Sequence, residues 1–282
     1  MRILLTGAGG QVGSALQECA PAGVDLISLD RNHLDISDAK AISEQVCEIA
    51  PQIIINAGAY TQVDLAEDEP EQATRLNAEA VKHLVENAGQ VGAKVVHIST
   101  DFVFDGEGGR PYTSADIPRP KSVYGRSKLA GEKALRETDL LVRTAWVYDS
   151  SGRNFVTTML RLFCERDTVS VVCDQIGTPT SASDLAAALW HLIDLDAAGV
   201  LHFTNSGVAS WYDFAIAIAE EAKMQGLLDR DVEILPIPSS AYPTKAERPH
   251  NSVLDCNDAY RLLGAHAPHW RRALRAVLKD SK

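Results

Sequence analysis

A tyrosine and a lysine lie four positions apart in the stretch SVYGRSKLAGE, residues 122–132, which has the pattern of a helix start. At that spacing the side chains of Tyr124 and Lys128 project from one helical face, one turn apart. An ammonium beside a phenol stabilises the phenolate and lowers the pKa of the tyrosine from about 10, which makes proton transfer feasible. The spacing alone also fits a surface tyrosine and a solvated lysine, so the rest of the chain must decide between the two.

Polar residues end a predicted strand in HISTDFVF, residues 97–104. Ser99, Thr100 and Asp101 stand at its carboxyl end, the edge at which open α/β sheets bind ligands. The Thr100 hydroxyl can donate a hydrogen bond to a carbonyl oxygen, so with the tyrosine and the lysine it completes a set suited to carbonyl reduction. We predict that His97, inside the strand, is a packed core histidine.

Short apolar runs separated by helical patterns predict the strands that position these side chains. Their continuous Val, Ile and Leu content indicates burial on both faces, as in a parallel sheet covered by helices. With right-handed crossovers the pattern predicts an α/β fold, a Rossmann-like doubly wound parallel sheet with a smaller C-terminal substrate-binding region. The predicted strands are residues 2–6, 24–30, 52–58, 94–100, 140–148 and 169–174.

The regular alternation of predicted strands and helices ends at about residue 200. We predict that residues 1–147 and 169–199 form a dinucleotide-binding domain, and that residues 148–168 and 200–282 form a substrate-binding region. The proline-bearing stretch VEILPIPSSAYPTKAERP, residues 232–249, fits either a loop that covers a cleft or a plain surface connection.

A glycine-rich stretch, TGAGGQVGSAL at residues 6–16, follows the first predicted strand and opens a helix. Gly7 permits a tight turn, Gly10 lets the backbone approach a pyrophosphate, and Gly13 allows close helix packing. The helix start adds amide donors and the positive end of a dipole. In this position the motif predicts a dinucleotide site.

The second predicted strand ends in a carboxylate that is followed by a guanidinium. Asp30 lies about 20 residues beyond the glycines, where it can bond the ribose hydroxyls of NAD, whereas Arg31 can receive the 2′-phosphate of NADP. The sequence therefore leaves NADH and NADPH both open. The other predicted cofactor contacts come from the glycine loop, from LDIS and from NAGAY, and they are Gln11, Val12, Asp35, Ile36, Ala57, Gly58, Ala59 and Tyr60.

Composition argues against several classes of protein. With 27 Lys and Arg against 38 Asp and Glu, the net charge of −11 repels nucleic acid and anionic membranes, so neither is an expected partner. The five cysteines are widely spaced with no C-x-x-C, which predicts reduced thiols rather than disulfides or a zinc site. No apolar run approaches the ~18 residues of a membrane span and no signal segment is evident, so we expect a cytoplasmic protein.

The chain resembles the extended short-chain dehydrogenases and reductases. The similarity lies in the three spaced glycines, Thr100 and the Tyr124-x-x-x-Lys128 pair, and it continues in order through INAGAYTQVDLAEDEPEQATRLNAEA, VRTAWVY, NFVTTMLRL, DQIGTPT and AYPTKAERPHNSVLD. The resemblance implies that NADPH or NADH reduces the 4-keto group of dTDP-4-dehydro-6-deoxy-L-mannose to give dTDP-L-rhamnose.

The same resemblance implies roles for individual residues. Tyr124 is expected to donate the proton, Lys128 to tune it and hold the nicotinamide ribose, and Thr100 to polarise the carbonyl. Arg248 is expected at the substrate diphosphate, for which a guanidinium is well suited. The expected substrate-binding residues are Val63, Thr100, Asp101, Tyr124, Trp146, Asn154 and Arg248, and the cofactor-binding set is completed by Asn77, Ser99, Tyr124 and Lys128. Trp146 also fits core packing.

One departure from the family concerns a metal. Some members bind Mg²⁺ between subunits through two glutamates, and the positions that match are Ala15 and Ser183, whose neutral side chains are poor ligands for a hard cation. We therefore expect no metal and a monomer, or a homodimer held by packing alone. The alternative functions are a reductase or epimerase for another nucleotide sugar, and a non-catalytic NADP-binding regulatory subunit.

Overall fold

The computed structural model describes residues 1–279, which form ten α-helices and twelve strands. The strands are β1 Arg2–Thr6, β2 Asp25–Leu29, β3 Ile53–Asn56, β4 Lys94–Thr100, β5 Leu140–Thr144, β6 Val147–Tyr148, β7 Thr168–Val172, β8 Ile176–Gly177, β9 Thr180–Ser181, β10 Gly199–His202, β11 Ala209–Ser210 and β12 Glu233–Ile237. The helices are α1 Gln11–Glu18, α2 Ala39–Ile49, α3 Pro70–Thr74, α4 Ala80–Val91, α5 Val123–Glu132, α6 Phe155–Glu165, α7 Ala182–Asp194, α8 Trp211–Met224, α9 Asn257–Leu263 and α10 Trp270–Lys279. A π-helical turn at Arg75–Glu79 joins α3 to α4, and short 3₁₀ turns lie at Leu65–Glu67, Asp101–Val103 and Ser239–Ala241.

Six parallel strands form the central sheet in the order β10-β5-β4-β3-β1-β2. Every residue of β3 and β5 is buried, as expected for strands covered on both faces. One layer of core packs α1 and α7 against the sheet, and the opposite layer packs α2 and α4. The predicted α/β doubly wound sheet is therefore confirmed.

One predicted strand is present but belongs to a different sheet. The run at 169–174 forms β7, which pairs in parallel with β12 in a separate two-stranded sheet, and β10 supplies the sixth central strand. The burial of β7 alternates along the strand, because one of its faces packs on helices and the other meets solvent. The apolar content of β7 resembles that of a central strand, but its alternation of buried and exposed residues is typical of a sheet with only one face buried.

A second core lies beyond the carboxyl ends of the central strands. It is built from α6, α8 and α10 with β7, and Phe163, Phe214 and Leu274 are fully buried in it. The predicted boundaries between a dinucleotide-binding domain and a substrate-binding region stay a prediction. Strand pairing crosses one of them, since β10 begins at Gly199 and ends at His202.

No helix within residues 1–279 has the length and apolar character needed to cross a membrane. All five cysteines are unpaired in this part of the chain.

Candidate active site

A cavity of about 650 Å³ opens where the carboxyl ends of the central strands meet the second core. We call it the central cavity. It brings together most of the predicted site, because these positions follow different strands that end at one edge of the sheet. The predicted residues that line it are Gly10, Gln11, Val12, Ala57, Ala59, Val63, Ser99, Thr100, Asp101, Tyr124, Lys128, Trp146 and Arg248.

The glycine-rich loop is shaped by backbone approaches that exclude a side chain. Gly7 has a φ of +71°, and a Cβ there would lie 2.4 Å from the amide nitrogen of Gly58. A Cβ on Gly13 would lie 2.3 Å from the carbonyl oxygen of Gly7. Gly10 is the N-cap of α1 and offers no side-chain acceptor, so the first amides of α1 are left to a ligand.

Helix α5 reaches the cavity because two glycines let it pack closely on its neighbours. A Cβ on Gly125 would lie 2.2 Å from the carbonyl oxygen of Phe102, and one on Gly131 would lie 2.0 Å from that of Asn77. Ser122 caps the helix by accepting the amide of Gly125 at 3.1 Å. Tyr124 and Lys128 therefore enter the cavity from a helix whose position and start are both fixed.

Lys128 is only 2% exposed, and its Nζ is held by β4. It donates to the carbonyl oxygen of Ile98 at 2.7 Å and lies 3.3 Å from Nε2 of His97. Burial lowers the pKa of Lys128 to about 8, against the opposing charge of Glu132. His97 is fully buried as predicted, but it also contacts the predicted catalytic lysine.

The pKa of Tyr124 corrects one expectation. Burial raises it to about 12, and a hydrogen bond with Thr100 opposes the rise only in part. The expected lowering by Lys128 is not seen in the protein alone, because the lysine nitrogen is turned toward His97 and the Ile98 carbonyl. The phenol therefore holds its proton at neutral pH, as a proton donor must.

Two buried polar atoms that line the cavity have no hydrogen-bond partner among the described residues, Oδ2 of Asp101 and Oγ1 of Thr144. The other oxygen of Asp101 accepts from the Thr100 hydroxyl at 3.0 Å, and burial raises the pKa of Asp101 to about 6. Orphaned buried polar atoms are uncommon and mark positions that a polar ligand can satisfy. Sequence reasoning missed Thr144, although it pairs with Thr100 across β4 and β5.

Trp146 forms a wall of the cavity under local strain. Its φ is +48°, a conformation that bulky residues rarely adopt. Its ring stacks on Trp211 with centroids 3.6 Å apart, and a Cβ on Gly177 would come within 2.6 Å of the ring. Trp211 also lines the cavity and was not predicted, since no local motif marks it.

Arg248 lines the cavity and closes it from the proline-bearing segment. Its guanidinium donates to both carboxylate oxygens of Asp64, at 2.8 and 3.3 Å, and Asp64 also accepts the amide of Ala246 at 3.2 Å. Lys245 pairs with Asp68 beside this contact. The segment is thus tied to the 64–68 turn at the rim of the cavity.

Several predicted residues lie outside the cavity lining and hold its walls instead. Asn154 caps α6 and donates to Oε1 of Gln11 at 3.0 Å. Asn77 is buried, and its side chain accepts a hydrogen bond from the amide of Tyr60 and donates one to the carbonyl oxygen of Tyr60. It also donates to Ser127 on α5 at 3.0 Å. Gly7, Gly13, Gly58 and Ile36 shape the loops through close packing.

The predicted adenosine end lies beside a second cavity, of about 560 Å³, lined by Arg31, Ala59 and Tyr60. Asp30 accepts the amides of Asn32 and His33 at 2.9 and 3.1 Å and Nδ1 of His33 at 2.6 Å. The last contact lowers the pKa of Asp30. Its carboxylate is therefore engaged within its own turn, as Asp35 is with the amide of Ser37 at 2.9 Å.

Within residues 1–279, no group of three or more His, Cys, Asp or Glu side chains has a geometry that could hold a metal ion. Ala15 is buried between α1 and α7, and Ser183 is exposed at the start of α7.

Comparison with known proteins gives one consistent result. A family model described as the RmlD substrate binding domain matches residues 1–282. The dTDP-4-dehydrorhamnose reductase of Escherichia coli K12 is 42% identical over 293 residues, covering 99% of this chain and 98% of that protein. A dTDP-4-dehydrorhamnose reductase from Bacillus anthracis in complex with NADP has a TM-score of 0.93 and 38% identity, with 99% of both chains covered. One from Clostridium acetobutylicum has a TM-score of 0.92 and 39% identity, again with 99% of both chains covered.

Proposed function

This chain belongs to the RmlD substrate binding domain family, and from that premise we propose that it performs the reaction of the dTDP-4-dehydrorhamnose reductases. It is an NAD(P)H-dependent oxidoreductase that reduces the 4-keto group of dTDP-4-dehydro-L-rhamnose to give dTDP-L-rhamnose. The observation that carries the proposal is the meeting of Thr100, Tyr124 and Lys128 in one cavity beside the glycine-rich loop.

The residues present suit a nicotinamide dinucleotide. Because Gly7 and Gly13 have no side chain, the backbone segments of the glycine-rich loop can pack closely together. The start of α1 has no side-chain cap, so its amides are available to bind a pyrophosphate. When bound, the cofactor supplies the hydride that reaches the 4-keto carbon. Among the predicted contacts, Gly10, Gln11, Val12, Ala57, Ala59, Ser99 and Lys128 line the central cavity on this side.

The roles of the catalytic residues follow from their protonation and contacts. Burial raises the pKa of Tyr124 to about 12, so the side chain is a protonated phenol at neutral pH. It can therefore give a proton to the developing alkoxide. The Thr100 hydroxyl donates to Asp101 in the protein alone and must turn toward the keto oxygen when substrate enters. Lys128 is the cation available to stabilise the phenolate that remains.

The substrate side of the cavity supports a nucleotide sugar. Trp146 and Trp211 provide apolar surface for the sugar, and the unpartnered oxygen of Asp101 is an acceptor for a hydroxyl. Arg248 is the guanidinium placed for the diphosphate, although it must share or exchange its Asp64 contacts to bind it. Val63 also lines this side, whereas Asn154 is proposed to act by holding Gln11 and the start of α6.

The test is to mix the protein with NADPH and dTDP-4-dehydro-L-rhamnose, follow cofactor absorbance and identify the product sugar. We expect stoichiometric cofactor oxidation and dTDP-L-rhamnose. Oxidation with a different 4-keto sugar nucleotide, and none with this one, would assign another reductase. NADPH binding without turnover of any such substrate would favour a regulatory subunit.

The compartment, the binding partners and the oligomeric state are also part of this proposal. We propose a cytoplasmic enzyme with a small-molecule substrate and with no nucleic-acid or membrane partner, supported by the net charge of −11 and the five unpaired cysteines. We also propose a monomer or a dimer held by packing.

A further inference from the structure

A chain of buried hydrogen bonds links the predicted catalytic lysine to the first strand of the sheet. The Thr6 hydroxyl donates to Oδ1 of Asn56 at 2.8 Å, and Nδ2 of Asn56 lies 3.1 Å from Nδ1 of His97. Nε2 of the same imidazole lies 3.3 Å from Nζ of Lys128. Thr6, Asn56, His97 and Lys128 are each at most 2% exposed, so water does not compete for these contacts.

The direction of this chain is set by a backbone amide. Gly58 donates its N–H to Oδ1 of Asn56 at 3.1 Å, and a backbone amide can only donate. The Asn56 side chain is therefore oriented with its oxygen toward Gly58 and its NH₂ group toward His97. Nδ1 of His97 must accept that hydrogen bond.

This contact determines the tautomer of His97. Burial holds the pKa of His97 well below its usual range, so the imidazole is neutral. A neutral imidazole that accepts at Nδ1 carries its proton on Nε2. The Nε2–H then points at Nζ of Lys128, which is a lone-pair acceptor as an amine and no acceptor at all as an ammonium.

We propose that His97, oriented by Asn56, is a positioning residue whose Nε2–H favours the uncharged amine of Lys128. The proposal deepens the reductase function above and rests on it for the role of Lys128. In its amine form Lys128 accepts from His97 and donates to the Ile98 carbonyl, so the His97 contact shifts the equilibrium between ammonium and amine toward the amine. When Tyr124 gives up its proton, the phenolate one turn away favours the ammonium, and any Lys128 in the amine form takes up a proton from the bulk solvent through the central cavity that it lines.

The other ionisable groups around Lys128 leave His97 as the neighbour that disfavours its charge. Glu132, one turn along α5, favours the ammonium, but its carboxylate is bonded to Arg143 at 2.7 Å and to Ser99 at 2.6 Å. Asp101 has a pKa raised to about 6 by burial and is charged at neutral pH, and its charge raises the pKa of Tyr124. The remaining charged side chains on α5 and on the segments packed against it are exposed or partly exposed, and they are Glu67, Glu71, Arg75, Glu79, Lys82, His83, Glu86, Lys94 and Arg126.

The first test reads the tautomer directly. Nitrogen-15 NMR of histidine-labelled protein without ligands distinguishes a protonated from an unprotonated ring nitrogen, and His97→Gln assigns the signals. We expect His97 to be neutral with its proton on Nε2 across neutral pH. A proton found on Nδ1 would overturn the proposal, whatever the enzyme turns out to reduce.

The second test titrates Lys128 by the chemical shift of its side-chain nuclei, with Lys128→Arg assigning the signal. Asn56→Asp gives His97 an acceptor at Nδ1, which moves the imidazole proton to Nδ1 and leaves Nε2 to accept from an ammonium. Because a hydrogen bond to a charged group stabilises that charge, we expect the titration midpoint to rise by about one pH unit or more. His97→Gln, whose amide oxygen can accept from the ammonium, should move it in the same direction.

The matched control is His202→Gln. His202 is equally buried on β10, but it contacts Arg143 at 3.3 Å and the carbonyl oxygen of Tyr112 at 3.0 Å rather than Lys128. We expect it to lower the free energy of unfolding without moving the lysine midpoint. A midpoint that stays at the wild-type value in folded Asn56→Asp and His97→Gln would refute the proposal.

A kinetic readout then connects the site to turnover. The limb of the kcat against pH profile that reports Lys128 should move with the NMR midpoint in both variants, while KM for the sugar nucleotide changes little. If NMR shows the shifts and no substrate is reduced, the positioning role stands and the proposed reaction fails. If turnover is normal and its pH profile ignores both variants, the positioning role fails alone.

Discussion

At the scale of single residues, the protonated state of Tyr124 is the property on which catalysis depends. We predict that Tyr124→Phe lowers kcat by roughly 100 to 10,000-fold, the usual contribution of a general acid. Cofactor affinity should stay close to wild type, because the phenol acts on the substrate oxygen. Tyr148→Phe is the control, since Tyr148 is a fully buried tyrosine whose hydroxyl faces the carbonyl oxygen of Trp270, 3.5 Å away, rather than the cavity. Near-normal turnover in Tyr124→Phe would remove this residue from the mechanism.

The choice of cofactor also belongs to single side chains. The Asp30 carboxylate already makes four hydrogen bonds within its own turn, so it is less available to the ribose hydroxyls than the sequence implied. We predict that Arg31→Ala weakens NADPH more than NADH, because the guanidinium lines the second cavity and can neutralise a 2′-phosphate. Steady-state KM values for both cofactors test this, with the exposed Arg261→Ala as control. An equal loss for both cofactors would show that Arg31 does not read the phosphate.

At the scale of elements, the close packing of α5 places the catalytic pair. We predict that Gly131→Ala lowers the free energy of unfolding by about 1–3 kcal/mol and reduces kcat, since its Cβ would lie 2.0 Å from the backbone oxygen of Asn77 and α5 must shift. Gly89→Ala in α4 is the matched control, because its Cβ would meet only Arg136 at 3.5 Å. That change should be neutral or stabilising by up to about 1 kcal/mol. Denaturant unfolding and kcat decide, and equal effects of the two substitutions would contradict the packing argument.

The elements also show which features a sequence reveals. The glycine loop and the Tyr124–Lys128 pair were predictable because their spacing is local and the chemistry follows from it. The contact of His97 with Lys128 was not predictable, because it joins side chains on β4 and α5 whose relative positions depend on the tertiary fold. The same holds for β7, whose partner β12 lies about 65 residues later in the chain and changes the sheet to which it belongs.

At the scale of the whole molecule, the open question is which surface would hold two copies of the chain together in a dimer. The positions that match a shared magnesium site offer no carboxylate, since Ala15 is buried between α1 and α7 and Ser183 carries a neutral hydroxyl. Hard divalent cations prefer carboxylate oxygen, so we expect any dimer to rely on packing rather than on a bridging ion at these positions. We therefore predict that EDTA changes neither the reductase rate nor the solution mass, measured by light scattering on the same sample. A loss of activity or a fall in mass that added Mg²⁺ restores would show that other residues supply the ligands, and the interface would then have to be sought away from α1 and α7.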